Sequence, residues 1–226
     1  MKTKKIILFI VEGITDETSL SKILSTLVQD SSVLFHTINQ DITADFNSNS
    51  QNIIIKIDSH IKQFLAQNTG LKKSDIKQII HLVDTDGAFV KQEFIVEDMK
   101  QEKTLYTKDS IVTNKKALIA KRNDRKGSVL NKLCQISSIG NIDYKVYFFS
   151  CNLEHILHNS QNTACYKKGM YSNNFMKLYD GREKSFISFL KDNDFAIPGD
   201  YNETWKFIKK DCNSLNRYCN FHLYFI

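Results

Sequence analysis

Apolar residues along this chain fall into two alternating patterns. Short apolar runs, "KIILFIV" (5–11) and "KQIIHLVD" (77–84), have the length and β-branched content of buried strands, and "SVLFHTI" (32–38) and "YKVYFFS" (144–150) are further strand candidates. Between them, apolar residues recur every three or four positions, as on a helix that buries one face. Leu20, Ile23, Leu24 and Leu27 form such a stripe behind Thr15, which is placed to cap a helix with Asp16 and Glu17 in its first turn. "IIIKIDSHIKQFLAQ" (53–67) predicts a second helix that stops near Gly70, and 114–137 a third that breaks at Gly127. "NLEHILHN" (152–159) predicts a short helix, and 171–226 a mostly helical stretch anchored by Phe175, Phe186, Phe189, Trp205 and Phe207. "NQDITADFNSNSQN" is polar and loop-like, and 88–112 predicts a long excursion with short elements. Strands that alternate with helices imply parallel pairing through crossovers, hence an α/β domain over 1–160 with a helical extension, 161–226, packed on the same core.

In open parallel sheets, ligands bind outside the carboxyl ends of the strands. Glu12, Asp84, Asp86 and Ser150 all stand at that end. Asp84 and Asp86 are two residues apart, so an extended backbone would send both side chains to one face. If the strand before Glu12 neighbours the strand before Asp84, three carboxylates crowd together and repel unless a cation neutralises them. Oxygen-only ligation suits Mg²⁺ or Mn²⁺, one ion or two, which can activate water and stabilise a phosphodiester transition state. Asp16 is a candidate further ligand. Gly13 leaves room for a ligand, and the N–H groups opening the first helix suit a phosphate. Taken alone, each acidic stretch is better explained as a turn or a helix cap; both at equivalent strand ends, each followed by glycine, point to a site.

Composition narrows the partners. The chain carries a net charge of +6, yet only Arg122, Arg125, Arg182 and Arg217 among its 31 basic residues are arginine. Basicity is therefore compatible with a polyanionic partner but weak as an argument for one. Lys121, Arg122, Arg125 and Lys126 make the densest basic cluster, a candidate phosphate-binding surface. Lys167 and Lys168, beside Tyr166 and Tyr171, make a candidate clamp for a single strand. A solvated helix face explains either group as well. Five scattered cysteines without a CxxC pair argue against a disulfide framework and against a zinc knuckle. Lys2, Lys4 and Lys5 before "IILFIV" superficially resemble a signal peptide, but the apolar core is too short and Glu12 and Asp16 follow it. The expectation is a cytoplasmic protein without a membrane span. No GxxxxGK[ST] or GxGxxG loop is present, so any ATPase partner would be a separate chain.

"VEGITDE" followed by "DTDG" resembles the Toprim domain, the metal-dependent, Rossmann-like fold of topoisomerases, primases and certain nucleases. That family places a glutamate after its first strand and a DxD pair after its third, which here correspond to Glu12 and to Asp84 with Asp86. The resemblance covers about residues 4–160. Among its branches the chain is most similar to the nucleases of the overcoming-lysogenization-defect class and to small abortive-infection proteins (the RloB-like group). "FFSCNLEHILHN" is similar to their short helix after the next strand and nominates Glu154 as a further catalytic acid. The resemblance implies cleavage of DNA or RNA, tRNA included, often in phage defence, and leaves the polymer and the oligomeric state open. Two other readings stand beside it. "IIHLVDTDG" also resembles the nucleophile motif of haloacid-dehalogenase-type phosphatases, with Asp84 as nucleophile and Asp86 as acid/base, although that motif normally opens the fold and no later strand supplies the expected acidic pair ("FLKDND", 189–194, follows a helical pattern). The third is a Toprim-like module that binds nucleic acid or a partner without cutting.

Overall fold

A computed structural model describes residues 5–28, 31–38, 40–191 and 194–226. Lys2 and Lys4 of the signal-like start, and part of "FLKDND", lie outside the described residues. The four apolar runs form the parallel strands β1 (Ile6–Val11), β2 (Ser32–Thr37), β3 (Ile76–Asp84) and, after the excursion, β8 (Ile142–Phe149). With the short antiparallel β7 (Ser138–Ile139) they make a five-stranded sheet in the order β2-β1-β3-β8-β7. The sheet is mostly parallel and flanked by helices, an α/β architecture compatible with a Rossmann-like fold.

Alternation along each strand decides what covers each face. Ile7, Phe9 and Val11 of β1, with Ile80, Leu82, Tyr147 and Phe149, pack under α1 (Ile14–Leu27), α5 (Cys165–Tyr179) and α6 (Glu183–Leu190). Leu8 and Ile10, with Ile79, Val146 and Phe148, meet α2 (Ile53–Gln67), α3 (Lys116–Leu133) and α7 (Tyr201–Ile208) on the other face. Residues 161–226 thus contribute to both faces: Phe186, Leu190 and Phe221 seal one, Trp205 and Ile208 the other.

Two local expectations are corrected. Thr15 does not cap α1: Gly13 is the cap residue, and the Asp16 side chain turns back to accept its N–H at 3.0 Å. Helix α3 runs through Gly127 without a break. A Cβ there would lie 3.1 Å from the Ala88 carbonyl, so this glycine lets α3 press against the turn that follows β3. The excursion after β3 forms a small second sheet, β4 (Ile95–Glu97), β6 (Ile111–Thr113) and β5 (Leu105–Tyr106), with its own apolar cluster around Val90, Ile111 and Leu215.

From β1 the chain passes outward to β2, then returns across β1 to β3. The order reverses between β1 and β3, and the crevice above that point is where open α/β sheets bind ligands. Glu12 follows one of these two strands and Asp84 ends the other.

Candidate metal centre

β1 does pair with β3, and the acids at their ends do meet, but as two groups rather than one. The separation arises in the "TDG" turn. β3 stops at Asp84, and Asp86 adopts a left-handed backbone (φ 47°), followed by Gly87, also left-handed (φ 71°). The turn is tied to the segment after β8 by Thr85 N–H to the Phe149 carbonyl (3.1 Å) and Asp86 N–H to the Cys151 carbonyl (2.7 Å). With the backbone no longer extended, the two-residue spacing stops placing both aspartates on one face.

Asp86 joins Glu12 and Asp41. One carboxylate oxygen from each lies within 4.8 Å of the others, all three residues half-buried, and they could hold a metal ion. Among the described residues no other group of three His, Cys, Asp or Glu side chains does so. Asp41 is fixed by its own loop: its Oδ1 accepts from Thr43 N–H (2.9 Å), Thr43 Oγ1 (2.6 Å) and Ala44 N–H (2.9 Å). The Thr43 hydroxyl also points to Glu12 Oε1, at 3.4 Å.

The cation these acids share in the protein itself is Lys126. Its side chain is fully buried, and Nζ lies 2.6 Å from Asp86 Oδ2, 2.7 Å from Asp41 Oδ2 and 4.0 Å from Glu12 Oε1. Burial opposes its charge, but Asp41, Asp86 and Glu12 outweigh that and hold its pKa well above the ordinary lysine value. Burial would likewise raise Asp41, yet the Lys126 ammonium and the loop hydrogen bonds hold it well below the carboxylate range. Glu12 goes the other way. Burial first, then Asp41, Asp84 and Asp86, raise it well above its ordinary value, which one lysine does not reverse.

Asp84 belongs to the second group. Its Oδ1 accepts the Leu153 N–H (2.9 Å) at the start of α4 (Leu153–His158). Burial, then Asp86, Asp16 and Glu154, push its pKa well up. Glu154 is buried and pairs with Lys168 at 3.0 Å. Asp16, bonded to Gly13, is raised to about 6, mainly by burial.

The expected basic surface is redistributed by helical periodicity. Lys121 is exposed and Lys126 is buried among carboxylates, so Lys126 is not a phosphate-facing surface residue. Arg122 donates to the Asp86 carbonyl (2.7 Å) and the Tyr106 hydroxyl (2.8 Å), and Arg125 to the Ala44 carbonyl (2.9 Å). These two arginines clamp the turn of Asp86 and the loop of Asp41. Lys167 is exposed, whereas Lys168 faces Glu154. Among the described residues, His155 and His158 belong to no cluster that could hold a metal ion; His158 packs on Tyr171 and Phe175. The residue that sequence reasoning missed is Asp41. Its one signal was its place just beyond the carboxyl end of β2, the position that drew attention to Glu12 and Asp84. Among the described residues, no helix is long and apolar enough to cross a membrane. No family model matches the chain, and comparison with the curated proteins and with the solved structures finds no match.

Proposed function

We propose that this chain is a Toprim-type nuclease that hydrolyses phosphodiester bonds of DNA or RNA with Mg²⁺ or Mn²⁺. The observation that carries the reading is the convergence of Glu12, Asp41 and Asp86 at the crevice between β1 and β3. The donors fit the ion: all are carboxylate oxygens, as hard divalent cations prefer, with no thiolate or imidazole among them. Charge supports it too. Six carboxylates surround the end of β3 and two lysines answer them; burial first, and then the neighbouring carboxylates, raise the proton affinities of Glu12 and Asp84. A divalent ion would relieve that deficit.

Glu12, Asp41 and Asp86 would hold the ion, and Asp84, Asp16 and Glu154 would make the acidic surroundings beside it. Such ions, when bound, supply Lewis acidity and a water of lowered pKa. The protein's own contribution is positional. Lys126 draws Asp41 and Asp86 together, Arg122 and Arg125 pin the backbone behind them, and Leu153 N–H orients Asp84. A role in phage defence and a separate ATPase partner rest on the family resemblance alone.

The test is incubation with Mn²⁺ or Mg²⁺ and plasmid, single-stranded DNA or tRNA. At least one should be cut, EDTA should stop cleavage, and Asp86→Asn and Glu12→Gln should each lower the rate about 100-fold or more, as loss of a group that organises transition-state charge does. No cleavage of any polymer with either metal would refute the proposal. Metal-dependent phosphatase activity that survives Glu12→Gln but not Asp84→Asn would favour the dehalogenase-type reading instead.

A further inference from the structure

Two aromatic side chains stand in solvent among the described residues, Phe46 at 83% exposure and Tyr166 at 82%. Both cost the folded protein apolar area that a core position would hide. Neither is isolated. The Arg125 guanidinium lies 5.6 Å from the Phe46 ring centroid, and the Lys167 ammonium 5.8 Å from that of Tyr166. Each pair is wired to a different acidic group. Phe46 follows Asp41 on the same loop, and Arg125 both holds that loop at the Ala44 carbonyl and precedes Lys126 in α3. Tyr166 stands in the first turn of α5, two residues before Lys168, whose ammonium binds Glu154.

We infer that these two aromatic–cation pairs are stacking platforms for unpaired bases, one on each flank of the metal centre, so that the substrate is a single-stranded polynucleotide. This inference rests on the nuclease reading and names its substrate class. Stacking needs a base face, and in a duplex those faces are covered by neighbouring pairs; an unpaired strand presents them. Arg125 and Lys167 place charge for the phosphates beside each ring. Room for a nucleotide lies beside Phe46 and near the start of α5. An open depression of about 500 Å³ lies beside Phe46, between Lys121, Arg125 and Asn49. A cleft of about 390 Å³, lined by Leu105, Asn152, Glu154, Cys165 and Lys168, adjoins the start of α5.

The experiment measures binding of fluorescein-labelled 20-nucleotide DNA, the same sequence as RNA, and the DNA duplex, by fluorescence anisotropy in EDTA at fixed ionic strength. The wild-type protein should bind one or both single strands about tenfold more tightly than the duplex. Phe46→Ala and Tyr166→Ala should each weaken single-strand binding about fivefold or more, as loss of one base–aromatic stack does, while Phe46→Trp retains it. Both rings are exposed, so circular dichroism should confirm unchanged folds. Duplex bound as tightly as either single strand, or alanine variants that bind single strands as the wild type does, would overturn the inference. The readout is independent of cleavage. Platform-dependent binding with no cutting in Mn²⁺ would remove the nuclease reading and leave the platforms standing; metal-dependent cutting with binding indifferent to both rings would do the reverse.

Discussion

The two acidic groups at the end of β3 solve the same electrostatic problem differently. Around Glu12, Asp41 and Asp86, the compensating charge is a fully buried ammonium at hydrogen-bond distance from two of the three acids. Around Asp84, Asp16 and Glu154, compensation is piecemeal: a backbone N–H for Asp84, another for Asp16, and for Glu154 a lysine whose side chain is about a third exposed. Backbone amides hold a carboxylate in place whether or not an ion is present. A buried lysine and the carboxylates around it depend on one another for their charge, so the first group depends on its lysine more than the second does.

That contrast breaks most visibly at the lysines. Lys126→Met leaves three crowded carboxylates without their cation and should cost about 3–5 kcal/mol in urea unfolding, the range for removing one partner of a buried ion pair. Added Mg²⁺ or Mn²⁺ should recover part of that loss, and more than it adds to the wild type. Lys168→Met should cost about 1 kcal/mol or less, because solvent screens a pair that is open on one side. Equal losses at the two sites, or a variant Lys126→Met indifferent to divalent ions, would erase the distinction.

The turn that separates the groups is the next place to press. Gly87 has φ 71°, and a Cβ there would fall 2.8 Å from Leu215 Cδ2 and 2.9 Å from Ile111 Cδ1. Gly87→Ala should therefore destabilise by about 2–3 kcal/mol through backbone strain and overpacking. It should also weaken Mn²⁺ binding in calorimetry, since Asp86 would lose its place beside Glu12 and Asp41. A variant of unchanged melting temperature would show that the turn tolerates another path.

The smallest effect sharpens the second group. Asp16 has its pKa raised to about 6 against an ordinary 3.8, chiefly by burial. The folded state binds this proton more tightly than the unfolded chain, so protonation adds stability as pH falls through 6 and the gain is complete below about 4. In metal-free buffer, the stability of the wild type relative to Asp16→Asn should rise by about 1 kcal/mol between pH 7 and 5. A difference that is flat or falls toward acid would mean that Asp16 already has its countercharge at neutral pH.

Much of this architecture was readable from residue order. Four apolar runs became strands, three of them largely buried and β2 half-buried at the edge of the sheet, and the 53–67 helix emerged with the boundaries its periodicity required. Glu12 and Asp84 were placed correctly at adjacent strand ends because a parallel sheet sends every carboxyl end to one side. Lys126 was misread for an equally physical reason. In sequence it sits in a run of charges, but a helix turns about 100° per residue, so neighbours in "KRNDRK" face different surroundings.

Local pattern alone therefore settled the class of fold and the end of the sheet at which the acids stand, since each depends on periodicity and chain direction; that β1 neighbours β3 was a condition that the tertiary structure met. Which acids share a cation was decided in three dimensions. A left-handed turn at Asp86 and Gly87 brings Asp86 to Glu12, a loop 29 residues from Glu12 supplies Asp41, and a glycine on α3 lets a lysine reach them. Those are contacts between segments far apart along the chain, and nothing in the spacing of one segment encodes the distance to another.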